Sequence, residues 1–131
     1  MRIARSLADE IVAHAREDLP NECCGMVGGA DGEARTVHRA ENAEASPLRY
    51  SIDAKEQFRL MRAIEEAGEE LVGIYHSHTK SPAYPSQTDV NLAGWPDAVY
   101  LIVSLADPEA PDLKGFWIRD GGIAEAELVV G

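Results

Sequence analysis

Apolar residues at helical spacing indicate a first helix near the amino terminus. From Leu7 to Arg16 they recur at intervals that place them on one helix face, as Leu7, Ile11, Val12 and Ala15. Ser6 is a candidate N-cap, and Pro20 lies beyond the predicted end. This segment therefore predicts an amphipathic helix.

A second helix is predicted to begin after Asp53. Glu56 stands three residues further on, in the pattern of a capping box. Gly68 ends the segment, because glycine is favoured just beyond the last helical residue. The apolar residues predicted to face the core are Phe58, Met61 and Ile64.

Short apolar runs bounded by glycine, proline or acidic residues predict the strands. They are Cys24–Gly29, Ala34–Arg39, Leu71–Tyr75 leading into His76–His78, Val99–Ser104, Lys114–Arg119 and Ile123–Val130. Turns at Asp31–Glu33 and Asp120–Gly122 precede two of them, and loops are predicted at Asn42–Pro47 and Thr79–Pro85.

The order of these elements predicts the fold class. Helices and strands are mixed without regular βαβ alternation, which favours an α/β or α+β sandwich with a curved, mostly antiparallel sheet. A chain of 131 residues is expected to form one domain, residues 1–131, around a single core.

Composition excludes several partners and indicates a compartment. The chain has 12 basic and 23 acidic residues, a net charge of −11, so its average field repels nucleic acid. No apolar run approaches the length of about 18 residues that a membrane span needs, and the amphipathic amino terminus does not resemble a secretory signal. Adjacent Cys23 and Cys24 form no ordinary disulfide and suit a reducing compartment. We therefore expect a cytoplasmic protein without membrane or nucleic-acid partners.

The segment IYHSHTKSPAYPSQTDV contains the candidate chemistry. Residues two apart on a strand point the same way, so His76 and His78 are expected to project from one face as a divalent-metal clip. Two unrelated polar residues at a strand end would produce the same short pattern. Asp89 favours the metal interpretation, because catalytic zinc sites commonly have three protein ligands and keep one position open.

Asp89 also has a structural interpretation that is compatible with the first. Ser86 and Asp89 form an S-x-x-D helix start, and a short helix is predicted from near Ser86 to before Pro96. A helix amino terminus at this point would hold Asp89 rigidly and place Ser86 beside the metal.

A metal-bound hydroxide also needs a group that accepts its proton, and the predicted ligands do not provide one. Glu22 is the candidate, because it precedes a strand that could neighbour the histidine strand.

Other polar and aromatic residues have less specific interpretations. Cys23 and Cys24 alternate in direction, so one of them is expected to face the core as a packed thiol, with a cysteine nucleophile as the alternative. His14 and His38 are interpreted as surface or hydrogen-bonded histidines. The aromatic residues expected to pack are Tyr84, Trp95 and Trp117, of which Tyr84 could also line a substrate path.

The complete pattern resembles a known family. Glu22, then His76-x-His78, seven residues, Ser86, two residues and Asp89 match the signature of the JAMM (MPN+) metallopeptidases. The segment PNECCGMVGG resembles the P-x-E-x-C-G segment of its compact prokaryotic members. The resemblance covers essentially the whole chain, residues 3–130.

This resemblance implies a fold and a set of roles. The family fold is a curved sheet flanked by helices, related to cytidine deaminases, although the P-C-x-x-C motif of deaminases is absent here. By matching positions, His76, His78 and Asp89 would bind Zn²⁺. Glu22 would be the general acid/base, and Ser86 would help to bind the oxyanion.

The resemblance also implies a substrate class. Family members cleave bonds after the carboxyl-terminal tail of ubiquitin-like proteins. The resemblance points to those that release cysteine from a sulfur-carrier protein ending in Gly-Gly, a step of cysteine biosynthesis. Broader isopeptidase activity and processing of carrier precursors are alternatives, and a non-catalytic MPN scaffold is disfavoured because all five positions are present. A cupin-like oxygenase is also disfavoured, because no histidine follows His78. Homodimers are common in related folds, so a homodimer is an open alternative for this chain.

Overall fold

One curled, eight-stranded sheet organises the protein, which a computed structural model describes over residues 1–131. The helices are α1 (Arg5–Glu17), α2 (Ala54–Glu66) and α3 (Gln87–Leu92). The strands are β1 (Arg2–Ile3), β2 (Cys24–Ala30), β3 (Glu33–Ala40), β4 (Glu70–His78), β5 (Val99–Ser104), β6 (Asp112–Arg119), β7 (Gly122–Ala126) and β8 (Val129–Val130). Their order in the sheet is β7-β6-β5-β4-β2-β3-β1-β8.

The longer strand pairs are mostly antiparallel, as the sequence predicts. Strand β2 pairs antiparallel with both β3 and β4, and β6 does so with both β5 and β7. Strand β4 pairs parallel with β5, and the short β1 pairs parallel with β3 and β8. The sheet is therefore mixed, with its antiparallel pairs on either side of the central β4–β5 pair.

The carboxyl terminus shows why the sheet is curled. Strands β7 and β8 lie at opposite ends of the strand order, yet only residues 127 and 128 separate them. The two edges of the sheet must therefore approach each other. The prediction of one strand over Ile123–Val130 is wrong, because the chain leaves β6 after Ala126 and pairs with the amino terminus, where Val129 N–H donates to the Met1 carbonyl.

Both faces of the central strands are buried. In β5, Val99, Leu101 and Val103 pack in the core that includes residues of α1. The alternate residues Tyr100 and Ile102 pack on the opposite face, in a second apolar cluster. This strand is buried along its whole length, which explains why its sequence is an uninterrupted apolar run.

Two details predicted for the helices are wrong. Helix α1 begins after Ala4, so Ser6 lies inside the helix and cannot be its N-cap. Phe58 is 65% exposed, because α2 buries the face defined by Leu60 and Ile64 instead. None of the three helices has the length and apolar character needed to span a membrane.

The predicted capping box of α2 forms only in part. Asp53 accepts a hydrogen bond from the Lys55 backbone N–H, as an N-cap should. Glu56 does not complete the box, because its carboxylate accepts from the Glu41 N–H and pairs with Arg59. This carboxylate therefore ties the start of α2 to the end of β3.

His14 links α1 to the sheet from a buried position. Its Nδ1 lies 2.7 Å from the Tyr75 hydroxyl, and its Nε2 lies 3.3 Å from the Asp18 carboxylate. The Tyr75 ring in turn crosses Gly25, where any Cβ would lie 2.3 Å from the ring. Gly25 is therefore required by the close approach of β2 and Tyr75.

Burial lowers the pKa of His14 below its usual value of 6.5, against the opposing effect of Asp18. Arg39, from β3, also lowers the pKa of His14, while Glu17 and Glu10 on its own helix raise it. Folded protein therefore holds a neutral imidazole at a pH where the unfolded chain would protonate it.

This lowered pKa predicts a loss of stability in mild acid. Below about pH 6.5 the unfolded state gains a proton at His14 that the folded state does not, so the free energy of unfolding falls as the pH falls. We expect this loss to develop as the pH falls from about 7.5 to 5.5, the range in which the unfolded chain takes up the proton. Urea denaturation of wild type and His14→Gln should show a weaker pH dependence in the variant. His38→Gln, on β3, is the control, and an unchanged pH dependence in His14→Gln would contradict the prediction.

Candidate metal centre

Strand β4 ends with two histidines on one face of the sheet. His76 and His78 are both buried, and their Nε2 atoms lie 3.2 Å apart. The intervening Ser77 points to the other face, where its hydroxyl accepts a hydrogen bond of 2.8 Å from the Cys23 N–H. The alternation of side chains along the strand thus pairs the imidazoles, as the sequence predicts.

Helix α3 places a carboxylate against these imidazoles. Ser86 is the N-cap, and its hydroxyl accepts from the Asp89 N–H at 3.1 Å. The Asp89 carboxylate accepts from the Ser86 N–H at 2.9 Å, which completes a capping box. The helix-capping interpretation of Asp89 is confirmed, and the metal interpretation is compatible with it, because the capping box holds the same carboxylate that faces the histidines.

Three potential ligand atoms converge at this point. The Asp89 Oδ2 lies 3.1 Å from the Nε2 of His76 and 3.0 Å from the Nε2 of His78. The His78 Nδ1 is 2.8 Å from the Pro82 carbonyl, which can only accept, so this nitrogen has the proton. In neutral His78, Nε2 therefore presents a lone pair towards the Asp89 carboxylate, and a metal ion between the two atoms would offset their repulsion.

The spacing of these atoms fits a small divalent ion. Tetrahedral zinc with bonds of about 2.0–2.1 Å holds neighbouring ligand atoms about 3.3 Å apart. The three separations of 3.0 to 3.2 Å are close to this value. Two imidazole nitrogens and one carboxylate are also donors that zinc accepts, and a fourth position would remain for water or substrate. His76, His78 and Asp89 therefore could hold a metal ion.

Burial and mutual contacts shift the pKa values of all three residues in the cluster. Although burial alone would raise the pKa of Asp89, hydrogen bonds with His76 and His78 lower it well below its usual range. Burial lowers the pKa of His76, so this imidazole favours the neutral form that binds metals. Burial acts in the same direction on His78, but its contacts with Asp89 and Pro82 raise its pKa overall.

Tyr50 fixes the orientation of the first histidine. Its ring stacks on the His76 imidazole with centroids 4.5 Å apart and an angle of 21° between the planes. The His76 Nδ1 is buried and has no hydrogen-bond partner. Metal-binding histidines usually donate from this second nitrogen to a fixed acceptor. Here the stacked ring restricts the plane of the imidazole without accepting its proton, a contact that sequence spacing could not reveal.

Glu22 lies beside the cluster, immediately before β2. Its side chain is buried, and one carboxylate oxygen has no hydrogen-bond partner. It lines a cleft of about 400 Å³ together with His78 and Ser86. The pairing of Cys24 with His76 in neighbouring strands brings Glu22 to this position, as we expected from the sequence.

Burial raises the pKa of Glu22 to about 7, with Asp89 adding to the rise and His78 opposing it. A carboxylate with a pKa in this range can both accept and return a proton near neutral pH. A bound metal cation would favour the ionised form and lower the pKa again. Glu22 is therefore suited to proton transfer in this cleft.

Asn42 holds the backbone around Glu22 and was not identified from the sequence. Its amide nitrogen donates to the carbonyls of Glu22 and Arg49, at 3.1 and 3.0 Å. Its amide oxygen accepts from the N–H groups of Glu44 and Ser51. An asparagine at the start of a predicted loop is the only sequence signal for this role.

The cysteines have structural positions. Cys23 packs in the core that includes α1, and Cys24 packs on the opposite face against α2, so both are buried rather than one. Burial raises the pKa of the Cys23 thiol to about 12 and raises that of Cys24 as well. Reactive cysteines need a stabilised thiolate, so this environment disfavours a cysteine nucleophile.

The aromatic residues outside the cluster lie partly as expected. Trp95 and Trp117 are partly buried against the apolar clusters. Tyr84 is 56% exposed and contacts Phe116 edge-on, at a centroid distance of 5.4 Å. It lies in the loop between the two sequence motifs, outside the residues that line the Glu22 cleft.

Known proteins are similar to this chain in sequence. The family model for prokaryotic homologues of the JAB domain matches residues 4–119. A CysO-cysteine peptidase of Mycobacterium tuberculosis is 46% identical over 130 residues, covering 98% of this chain and 89% of the relative. A desampylase of Haloferax volcanii is 44% identical over 112 residues, covering 79% of this chain and 80% of the relative.

Solved structures agree with this family match. A protein from Desulfitobacterium hafniense has a solution structure with a TM-score of 0.90 and 38% identity, covering 100% of this chain and 93% of that one. A JAB1/MPN domain protein from Archaeoglobus fulgidus has a TM-score of 0.64 at 21% identity, covering 99% and 98%. The second similarity confirms the expected JAMM/MPN fold, with its curved sheet flanked by helices.

The stacked ring predicts a defect in metal binding when it is removed. Tyr50→Leu keeps apolar bulk but loses the planar contact with His76, so we expect affinity for Co²⁺ or Zn²⁺ to fall about 10-fold. Tyr50→Phe should retain the wild-type affinity, because it retains the ring. Competition with a chromophoric chelator and the visible spectrum of the Co²⁺ form measure the effect. Tyr84→Leu is the matched control, and wild-type affinity and spectrum in Tyr50→Leu would contradict the prediction.

Proposed function

The chain belongs to the family of prokaryotic homologues of the JAB domain, and from this premise we propose that it is a zinc-dependent carrier–cysteine hydrolase. It is a JAMM-family hydrolase that acts on conjugates of ubiquitin-like carrier proteins, as its named peptidase relatives indicate. The proposed reaction cleaves the bond after the Gly-Gly end of a sulfur-carrier protein and releases cysteine. The relative from M. tuberculosis, named for CysO-cysteine, supports this choice of substrate.

One observation supports the catalytic proposal most directly. The ligand atoms of His76, His78 and Asp89 converge, while Glu22 and Ser86 line the cleft that His78 also borders. These are all five positions of the family signature. A non-catalytic scaffold would not need a buried, unpaired carboxylate beside three converging ligand atoms.

The proposed metal ligands are His76, His78 and Asp89. When bound there, Zn²⁺ supplies a Lewis acid for the scissile carbonyl and lowers the pKa of the attacking water. The two neutral imidazoles and one carboxylate leave a net positive charge at the ion, which this chemistry requires.

Glu22 is the proposed general acid/base. It accepts a proton from the attacking water and returns it to the amine of the leaving residue, so one carboxylate serves both half-reactions. Its unpaired oxygen suits both steps, and burial in the cleft opposes the lowering of its pKa that a bound metal would cause. Asn42 contributes by holding the Glu22 backbone in place.

Ser86 is the proposed oxyanion donor. Its hydroxyl oxygen already accepts from the Asp89 N–H, so the hydroxyl proton remains free to donate. Ser86 is exposed at the cleft, where the developing negative charge would form. Donors of this kind typically contribute about 10²–10³ in rate.

A thin, extended tail suits this cleft. A Gly-Gly end lacks side chains, so it can approach the zinc position closely and pair through its backbone. The partner is accordingly a ubiquitin-like sulfur-carrier protein that ends in Gly-Gly.

The second candidate function is isopeptidase activity on lysine-linked conjugates. The similarity to the H. volcanii desampylase favours it, because that relative matches over most of both chains. The five site positions do not distinguish the two substrates, since both contain an amide bond after the carrier tail.

Intact-mass analysis of a carrier–cysteine conjugate tests the proposal. CysO of M. tuberculosis with one cysteine added to its carboxyl terminus should lose one cysteinyl residue when incubated with zinc-loaded protein. A chelator should abolish the loss, and added Zn²⁺ should restore it. If the enzyme instead cleaves a lysine-linked conjugate and leaves carrier–cysteine intact, the second function replaces the first.

The Glu22→Gln variant tests the assigned chemistry in the same assay. We expect it to bind zinc with wild-type stoichiometry and to lose turnover by at least about 10²-fold, because it can no longer accept a proton. Glu65→Gln, an exposed change on α2, is the matched control. Loss of zinc from Glu22→Gln would make Glu22 a ligand and overturn the assignment.

A further inference from the structure

We propose that Lys80 binds the free α-carboxylate of the released residue and thereby selects a carboxyl-terminal amino acid over a lysine isopeptide. The inference deepens the proposed function and rests on it, since it concerns the leaving-group side of the same cleft. No position of the family signature includes Lys80.

Lys80 lies two residues beyond His78 and lines the Glu22 cleft. It is the only lysine or arginine in that lining, whose other members are Glu22, Pro47, Leu48, His78, Thr79, Ser81 and Ser86. Its ammonium is exposed and forms no ion pair, whereas Arg39, Arg59 and Arg62 all contact carboxylates. Lys80 is therefore an unpaired cation at the entrance of the cleft, in a chain with a net charge of −11.

The proposed proton transfer determines where the leaving residue lies. Glu22 must reach the leaving nitrogen to protonate it, so that nitrogen lies in the Glu22 cleft. In a carboxyl-terminal residue, only the Cα separates this nitrogen from the carboxylate carbon, a span of about 2.5 Å. The α-carboxylate therefore has to lie in the same cleft, within range of the long, flexible Lys80 side chain.

Charge favours a cation at this position. A bound zinc ion would offset the negative charges of Asp89 and Glu22, so the carboxylate of the leaving residue would meet no uncompensated positive charge among these groups. Lys80 supplies that charge when the leaving residue has a free carboxylate. An isopeptide places only the alkyl chain of a lysine beside the leaving nitrogen, so Lys80 has no anion to bind there.

The selectivity ratio between two substrates tests the inference. One substrate is the CysO conjugate with a carboxyl-terminal cysteine, and the other is the same conjugate ending in cysteinamide, which has no carboxylate. We expect wild type to prefer the acid by about 3- to 10-fold in kcat/KM, mainly through KM, and to lose this preference at high salt. Lys80→Gln should bring the ratio to about 1, and Lys80→Arg should retain most of the preference.

Lys55→Gln, an exposed change on α2, is the matched control and should keep the wild-type ratio. Equal losses on both substrates in Lys80→Gln, or an unchanged ratio, would overturn the role of Lys80 while leaving the proposed function intact. Failure of zinc-loaded wild type to cleave either conjugate would instead overturn the proposed function, and the inference with it.

Discussion

The site depends on one electrostatic constraint: two imidazole nitrogens and one carboxylate oxygen converge in a buried place, where a proton or a metal cation between them offsets the repulsion of their lone pairs. The Asp89 carboxylate is 3.0 Å from the His78 Nε2, while the other nitrogen of that ring donates to the Pro82 carbonyl. The His76 Nε2 completes the group. Without a metal ion, protons on the imidazoles can satisfy the Asp89 carboxylate, and a bound metal ion would replace those protons and coordinate all three atoms.

The surrounding structure acts mainly to hold these groups in place. The capping box of α3 fixes Asp89 by two backbone hydrogen bonds, and the Tyr50 ring fixes His76 by stacking. Ser77, which points away from the cluster, binds the Cys23 N–H and so positions the residue next to Glu22. The end of β4 thus supplies the two proposed histidine ligands on one face. On the other face, Ser77 holds the backbone next to Glu22, the proposed base.

Sequence spacing was sufficient for the residues that follow local rules. Strand alternation predicted that His76 and His78 share a face, and the S-x-x-D pattern predicted the helix start at Ser86. The sequence predictions that were wrong or missing concern residues whose positions depend on distant contacts. Phe58 has helical spacing, but the packing of Leu60 and Ile64 decides which face of α2 is buried. The split of the last strand depends on the amino terminus, whose two-residue strand is too short for any periodic signal. Tyr50 and Asn42 act through the fold of a loop, which spacing does not describe.

Crystallography at the zinc absorption edge tests the central claim most directly. Crystals of protein loaded with Zn²⁺ should show an anomalous peak about 2.0–2.2 Å from the Nε2 atoms of His76 and His78 and from an oxygen of Asp89. The peak should vanish in data collected below the edge. Zinc held by other residues, or a cluster without zinc in a loaded crystal, would contradict the assignment of these three residues as the metal ligands.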